Sequence, residues 1–159
     1  DGQDKRARKG MLRAAYYAGA AFTKSYVGYV HAVAHSLGGQ YKIPHGLANA
    51  VTLPVVLRLY GPACEKKLAR LARRAGIVKG RMSSHDAAQH FIDWIQDLND
   101  HMGIPRHFQR IRPEDIPTMA RHADREGNPL YPVPVLMDRR ELEKIYHILR
   151  TRKESGHGY

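Results

Sequence analysis

Three of the chain's ten histidines fall in one stretch, "HAVAHSLGGQYKIPH", at positions 31 to 45. His31 and His35 are four apart, and residues four apart share one face of a helix. Imidazoles so placed can bind one ion together, or one can bind it while the other moves a proton. His45 follows Pro44, soon after the pair Gly38 and Gly39, and a turn at that pair would bring it back beside the first two. Three nitrogen donors would then converge. Gly28, Ala32 and Ala34 nearby are small, which suits close approach by a cofactor or a second segment and suits plain tight packing equally well. The spacing by itself leaves a metal site and an ordinary satisfied pair both open. No glutamate stands beside His31, so the metalloprotease signature His-Glu-x-x-His is absent. No Asp or Glu occurs between Asp4 and Glu65, so an oxygen ligand has to come from elsewhere.

The elements that position these residues read as helices almost throughout, with no convincing strand alternation. Residues 5 to 24 carry Met11, Leu12, Ala14, Ala15, Ala18 and Phe22 at helical spacing. The small run "AGAA" at 18 to 21 would let a neighbouring helix come close. A second helix is expected over 29 to 37, ended by Gly38 and Gly39. Pro44 suits a first helical turn, and the apolar segment 45 to 60 reads as a central buried helix kinked near Pro54. A basic helix follows at 62 to 75, closed by Gly76. The next has serine caps at its start, Gly103 at its end, and one face made of Ala88, Phe91, Ile92, Ile95, Leu98 and Met102, with Trp94 beside that face in the core. Pro113 and Glu114 open a short helix to about Asp124, and the proline-rich loop "EGNPLYPVPVLM" breaks it. Asp138 and Glu141 have capping-box spacing and start a last helix whose core face is Leu142, Ile145, Tyr146 and Leu149. The tail "ESGHGY" is expected to fray. The fold class is all-α, a bundle of about seven helices forming one domain over 1–159.

At 159 residues the chain can bury a sizeable core. No apolar run approaches the roughly 20 residues of a membrane span, and no signal peptide is evident. One cysteine, Cys64, excludes an intrachain disulfide and a cysteine-rich zinc site, and points to a reducing, cytoplasmic compartment. The net charge is +11, but its basic residues are spread over nearly every segment on polar helix faces, without aromatic interleaving for base stacking. A solvated surface explains that charge better than a nucleic-acid site.

Residues 18 to 54, "AGAAFTKSYVGYVHAVAHSLGGQYKIPHGLANAVTLP", resemble the signature region of the iron-containing (group III) alcohol dehydrogenases. The stretches "LARLARRAGI", "LNDHMGIPRHF", "RPEDIPTMARHADRE" and "GNPLYPVP" look like successive landmarks of that family's helical C-terminal domain. The resemblance covers the chain from about residue 4 to 150, and its fixed spacing of three histidines makes it specific.

The resemblance implies the C-terminal domain of a dehydroquinate synthase-like, iron alcohol dehydrogenase fold. In that family a metal held by one aspartate and three histidines sits between an N-terminal nucleotide-binding domain and the helical domain. His31 and His45 match two of those ligands. His35 is not a ligand in the pattern; it lies near nicotinamide and substrate, as candidate catalytic and cofactor-binding residue. Phe22 resembles an aromatic at the cofactor and substrate pocket, and Asn128 and Tyr131 are expected to border the cleft. The implied cofactors are Fe(II), with Zn(II) as competitor, and NAD(P); the implied substrate is a small alcohol or aldehyde. The Gly-rich dinucleotide turn is absent from this stretch, so the implied partner is the N-terminal dinucleotide-binding domain, and the chain alone is expected to be inactive and to bind metal weakly. An exposed face toward that domain would favour a homo-oligomer. The competing readings are glycerol dehydrogenase, maleylacetate reductase or 3-dehydroquinate synthase on the same scaffold, a basic helical nucleic-acid-binding module, and a purely structural helical domain. The other seven histidines are expected to face solvent.

Overall fold

The computed structural model describes residues 2–128 and 130–150. Seven α-helices follow in chain order: α1 (Lys5–Ser25), α2 (Tyr29–Tyr41), α3 (His45–Tyr60), α4 (Pro62–Arg74), α5 (Ser84–His101), α6 (Ile116–Gly127) and α7 (Arg139–Leu149). A single 3-10 turn, Pro113–Asp115, leads into α6. Among the described residues there is no strand, only an isolated bridge between Phe108 and Arg150.

Local chemistry explains most of these boundaries. Asp4 caps α1 by accepting from the backbone N–H of Arg6 and Ala7. Ser83 does the same for α5 through Asp86. At α7 both halves of the capping box form: Asp138 accepts from the Glu141 N–H, and Glu141 accepts from the Asp138 N–H. The second helix departs from expectation. It runs through Gly38 and Gly39 to Tyr41 and is closed by Lys42 in the left-handed region, φ 55°, whose N–H donates to the Gly38 carbonyl. Glycine inside a helix costs only about 1 kcal/mol, and Tyr41 in the added turn packs on the core and donates its hydroxyl to Asp115 at 2.6 Å.

The main core lies where α2, α3, α6 and α7 meet. Tyr29, Val33, Leu37, Ile116, Met119, Leu142, Ile145, Tyr146 and Leu149 are all essentially excluded from solvent there. The face expected for α7 is its buried face. α3 is central: it packs against α2, α4, α5 and α7, and continues through Pro54. A small satellite core of Ala69, Ala72, Val78 and Ala87 joins α4 to α5.

Two packing expectations are corrected. On α5, Leu98, Met102 and Trp94 are exposed, while Ala87, Ala88, Ile92 and Asn99 are buried. Trp94 stacks on Phe91 instead of entering the core. More sharply, α1 has no buried residue at all. Met11, Leu12 and Phe22 stay exposed, as do Tyr16 and Tyr17. No helix is drawn onto the small "AGAA" run among the described residues. The expected frayed tail lies outside the described residues.

Candidate metal centre

The turn between α2 and α3 sets the site. Lys42 ends one helix, and Pro44, at φ −56°, caps the next, with its carbonyl accepting from the Ala48 N–H. Reversal within three residues lays the first turn of α3 beside the face of α2 that carries His31 and His35. The three rings come together. Centroids are 5.4 Å apart for His31 and His45, 5.0 Å for His35 and His45, and 6.0 Å for His31 and His35. Phe22, from the end of α1, stands 6.4 Å from the His31 ring. All four residues singled out by the sequence therefore share one place.

A metal–imidazole bond of about 2.0–2.1 Å puts a ring centroid about 3.2 Å from an ion, so two rings at a tetrahedral angle have centroids about 5.2 Å apart. The His31–His45 separation of 5.4 Å fits such a pair. Among the described residues no group of three or more His, Cys, Asp or Glu is arranged to hold an ion. Burial pushes the His31 pKa down, followed by its neighbours His45 and His35, with Glu126 pulling the other way. A neutral imidazole is the form that binds a cation.

Side chains around the cluster contact two of the rings. Asn49, one turn along α3, donates from Nδ2 to the His45 backbone carbonyl, and the same nitrogen lies 3.0 Å from His45 Nε2. Its Oδ1 is buried without a protein partner. His35 Nδ1 lies 2.6 Å from Glu126 Oε1, and the Tyr131 hydroxyl donates to that same oxygen at 2.6 Å. Tyr131 thus reaches the cluster through Glu126. Asn128 turns inward, accepting from the Tyr29 hydroxyl at 2.6 Å and donating to the Met137 carbonyl at 3.0 Å. Beside His31 opens a cavity of about 440 Å³, lined largely by apolar groups including Tyr26, Val30, Leu53 and Val133, with Asn49 at its wall.

Glu126 was not legible as a site residue, because its partner His35 is 91 positions away. Six of the seven other histidines, at 85, 90, 101, 107, 122 and 147, are exposed as expected; His157 lies outside the described residues.

The site is a cluster of three imidazoles presented by an all-helical domain, beside an apolar cavity. Residues 1–149 match the profile of the Fe-containing alcohol dehydrogenase family, C-terminal, and the chain belongs to that family. It is 39% identical over 147 residues to the 1,3-propanediol dehydrogenase of Citrobacter freundii, covering 91% of this chain and 38% of that protein. It is 40% identical over 127 residues to alcohol dehydrogenase 4 of Saccharomyces cerevisiae (strain ATCC 204508 / S288c), covering 77% of this chain and 32% of that protein. A crystal structure of 1,3-propanediol oxidoreductase superposes with a TM-score of 0.86 at 38% identity, over 92% of this chain and 38% of its own. The alcohol dehydrogenase from Oenococcus oeni gives the same TM-score at 35% identity, over 94% of this chain and 39% of its own. The chain thus spans well under half the length of these relatives.

Proposed function

We propose that these residues are the metal-binding helical part of an NAD(P)-dependent alcohol dehydrogenase that interconverts a small alcohol and its aldehyde. The observation that carries this reading is the 5.4 Å approach of His31 and His45 from adjoining helices, in a chain of this family. His31 and His45 are the two ligands this chain contributes, and nitrogen donors of this kind suit Fe(II) or Zn(II). When bound, such an ion polarises a substrate oxygen as a Lewis acid, and the nicotinamide accepts the hydride. The chain's own residues supply the rest. His35 would accept or pass a proton beside that oxygen. Phe22 forms an aromatic wall beside His31, and the apolar cavity offers a lining for the substrate's carbon chain.

The remaining ligands and the nucleotide site belong to segments outside these residues, which would also cover the apolar side chains of α1. On this reading the 159-residue chain alone binds metal weakly and has no turnover. Cys64, buried and unpaired, suits a reducing cytoplasmic compartment.

The test uses the protein joined to its nucleotide-binding part, loaded with Fe(II) or Zn(II). Aldehyde-dependent NAD(P)H oxidation is expected, abolished by chelation and by His31→Ala or His45→Ala. Full activity in the double variant His31→Ala/His45→Ala would overturn the assignment.

A further inference from the structure

Glu126 lies one residue before the end of α6, with a side chain 31% exposed, and its Oε1 takes two contacts at 2.6 Å: His35 Nδ1 and the Tyr131 hydroxyl. A carboxylate is acceptor only, so whatever shares this oxygen has to donate. Tyr131 is a donor at any physiological pH: burial, then the carboxylate itself, pushes its phenol up to about 12. His35 Nδ1 must therefore carry its hydrogen toward Glu126.

The end of α6 is fixed by contacts that do not involve His35. Gly127 packs so tightly that a Cβ there would come within 2.7 Å of the Tyr29 ring. Asn128 accepts from the Tyr29 hydroxyl, and the Met137 N–H donates to that hydroxyl at 3.0 Å. Tyr29 starts the helix that carries His35. The carboxylate is thus held against α2 by a lock built on a different residue.

We propose that Glu126 is the positioning residue of His35: it holds the ring in the Nδ1–H tautomer and presents Nε2 as an acceptor beside His31 and His45. An imidazole fixed by a carboxylate at one ring nitrogen keeps one orientation and one basic nitrogen. A solvated neutral histidine prefers the opposite tautomer, with its hydrogen on Nε2, so the clamp reverses an intrinsic preference. The role of that Nε2 in proton movement rests on the dehydrogenase reading above; the tautomer does not.

The test is nitrogen–proton correlation NMR of the histidine side chains in the 159-residue chain, at about pH 9, where imidazoles are neutral. In the unaltered chain His35 is expected to show a protonated Nδ1 and a bare Nε2. Glu126→Leu removes the acceptor and shifts His35 to the Nε2–H form. Glu126→Gln keeps an acceptor oxygen and retains Nδ1–H. An Nε2–H tautomer in the unaltered chain, or no change in Glu126→Leu, would overturn the clamp. The readout needs no turnover, so failure of the clamp and failure of the dehydrogenase reading are told apart.

Discussion

Asn99 of α5 donates its side-chain amide to the backbone carbonyl of Ala50 in α3, at 2.8 Å. That carbonyl is the one Pro54 leaves without its helical partner, because proline has no N–H. The proline in the central helix and the buried asparagine of another helix thus complete one hydrogen bond. Removing the donor with Asn99→Ala leaves a buried acceptor unsatisfied, a loss of about 1–3 kcal/mol. In the Pro54→Ala background Ala50 regains a helical donor, and the same change costs less. Urea denaturation of the four proteins in a double-mutant cycle measures the coupling, and equal losses in both backgrounds would refute it.

Gly127→Ala tests the lock between α6 and α2. The added methyl meets the Tyr29 ring at 2.7 Å, and that ring is fully buried. A destabilisation of about 1–3 kcal/mol is expected from overpacking, read from the denaturation midpoint.

Lys42→Gly goes the other way. Lys42 sits at φ 55°, ψ 34°, with its side chain exposed. Glycine adopts this conformation without the Cβ penalty, which outweighs its larger loss of chain entropy. The variant is expected to be more stable by about 0.5–1 kcal/mol, measured as a higher thermal midpoint.

His85 supplies a pH signature away from the candidate metal site. The hydrogen bond to Glu65 at 2.8 Å, then the carboxylate's charge, raises its pKa above the ordinary value of 6.5. The pair's contribution is complete below that ordinary value and fades as pH rises through the raised folded one. Glu65→Gln should return the His85 titration, followed by NMR, toward the ordinary value.

Much of this could be read from residues near one another in the chain. The last helix is the clearest case: Asp138 and Glu141 fix its start, and Leu142, Ile145, Tyr146 and Leu149 are its buried face. The convergence of His31, His35 and His45 was legible too, since a short reversal between two helices suffices. What escaped depends on distant partners. The end of α2 is set by the anchoring of Tyr41 on Asp115 and by Lys42, not by the glycine pair. Leu98, Met102 and Trp94 continue the apolar pattern of α5 past the point where any neighbour covers it. Glu126 reads as one more charge in a helix until α6 is laid against α2.

The exposure of every side chain on α1 makes that helix a separable arm. Deleting it takes nothing from the hydrophobic interior. Yet Phe22 rides on it. The aromatic wall over His31 is hung on a lever whose elbow, Tyr26, has an unusual positive φ of 60°. Any movement of the arm at that elbow would carry the Phe22 ring toward or away from the imidazoles.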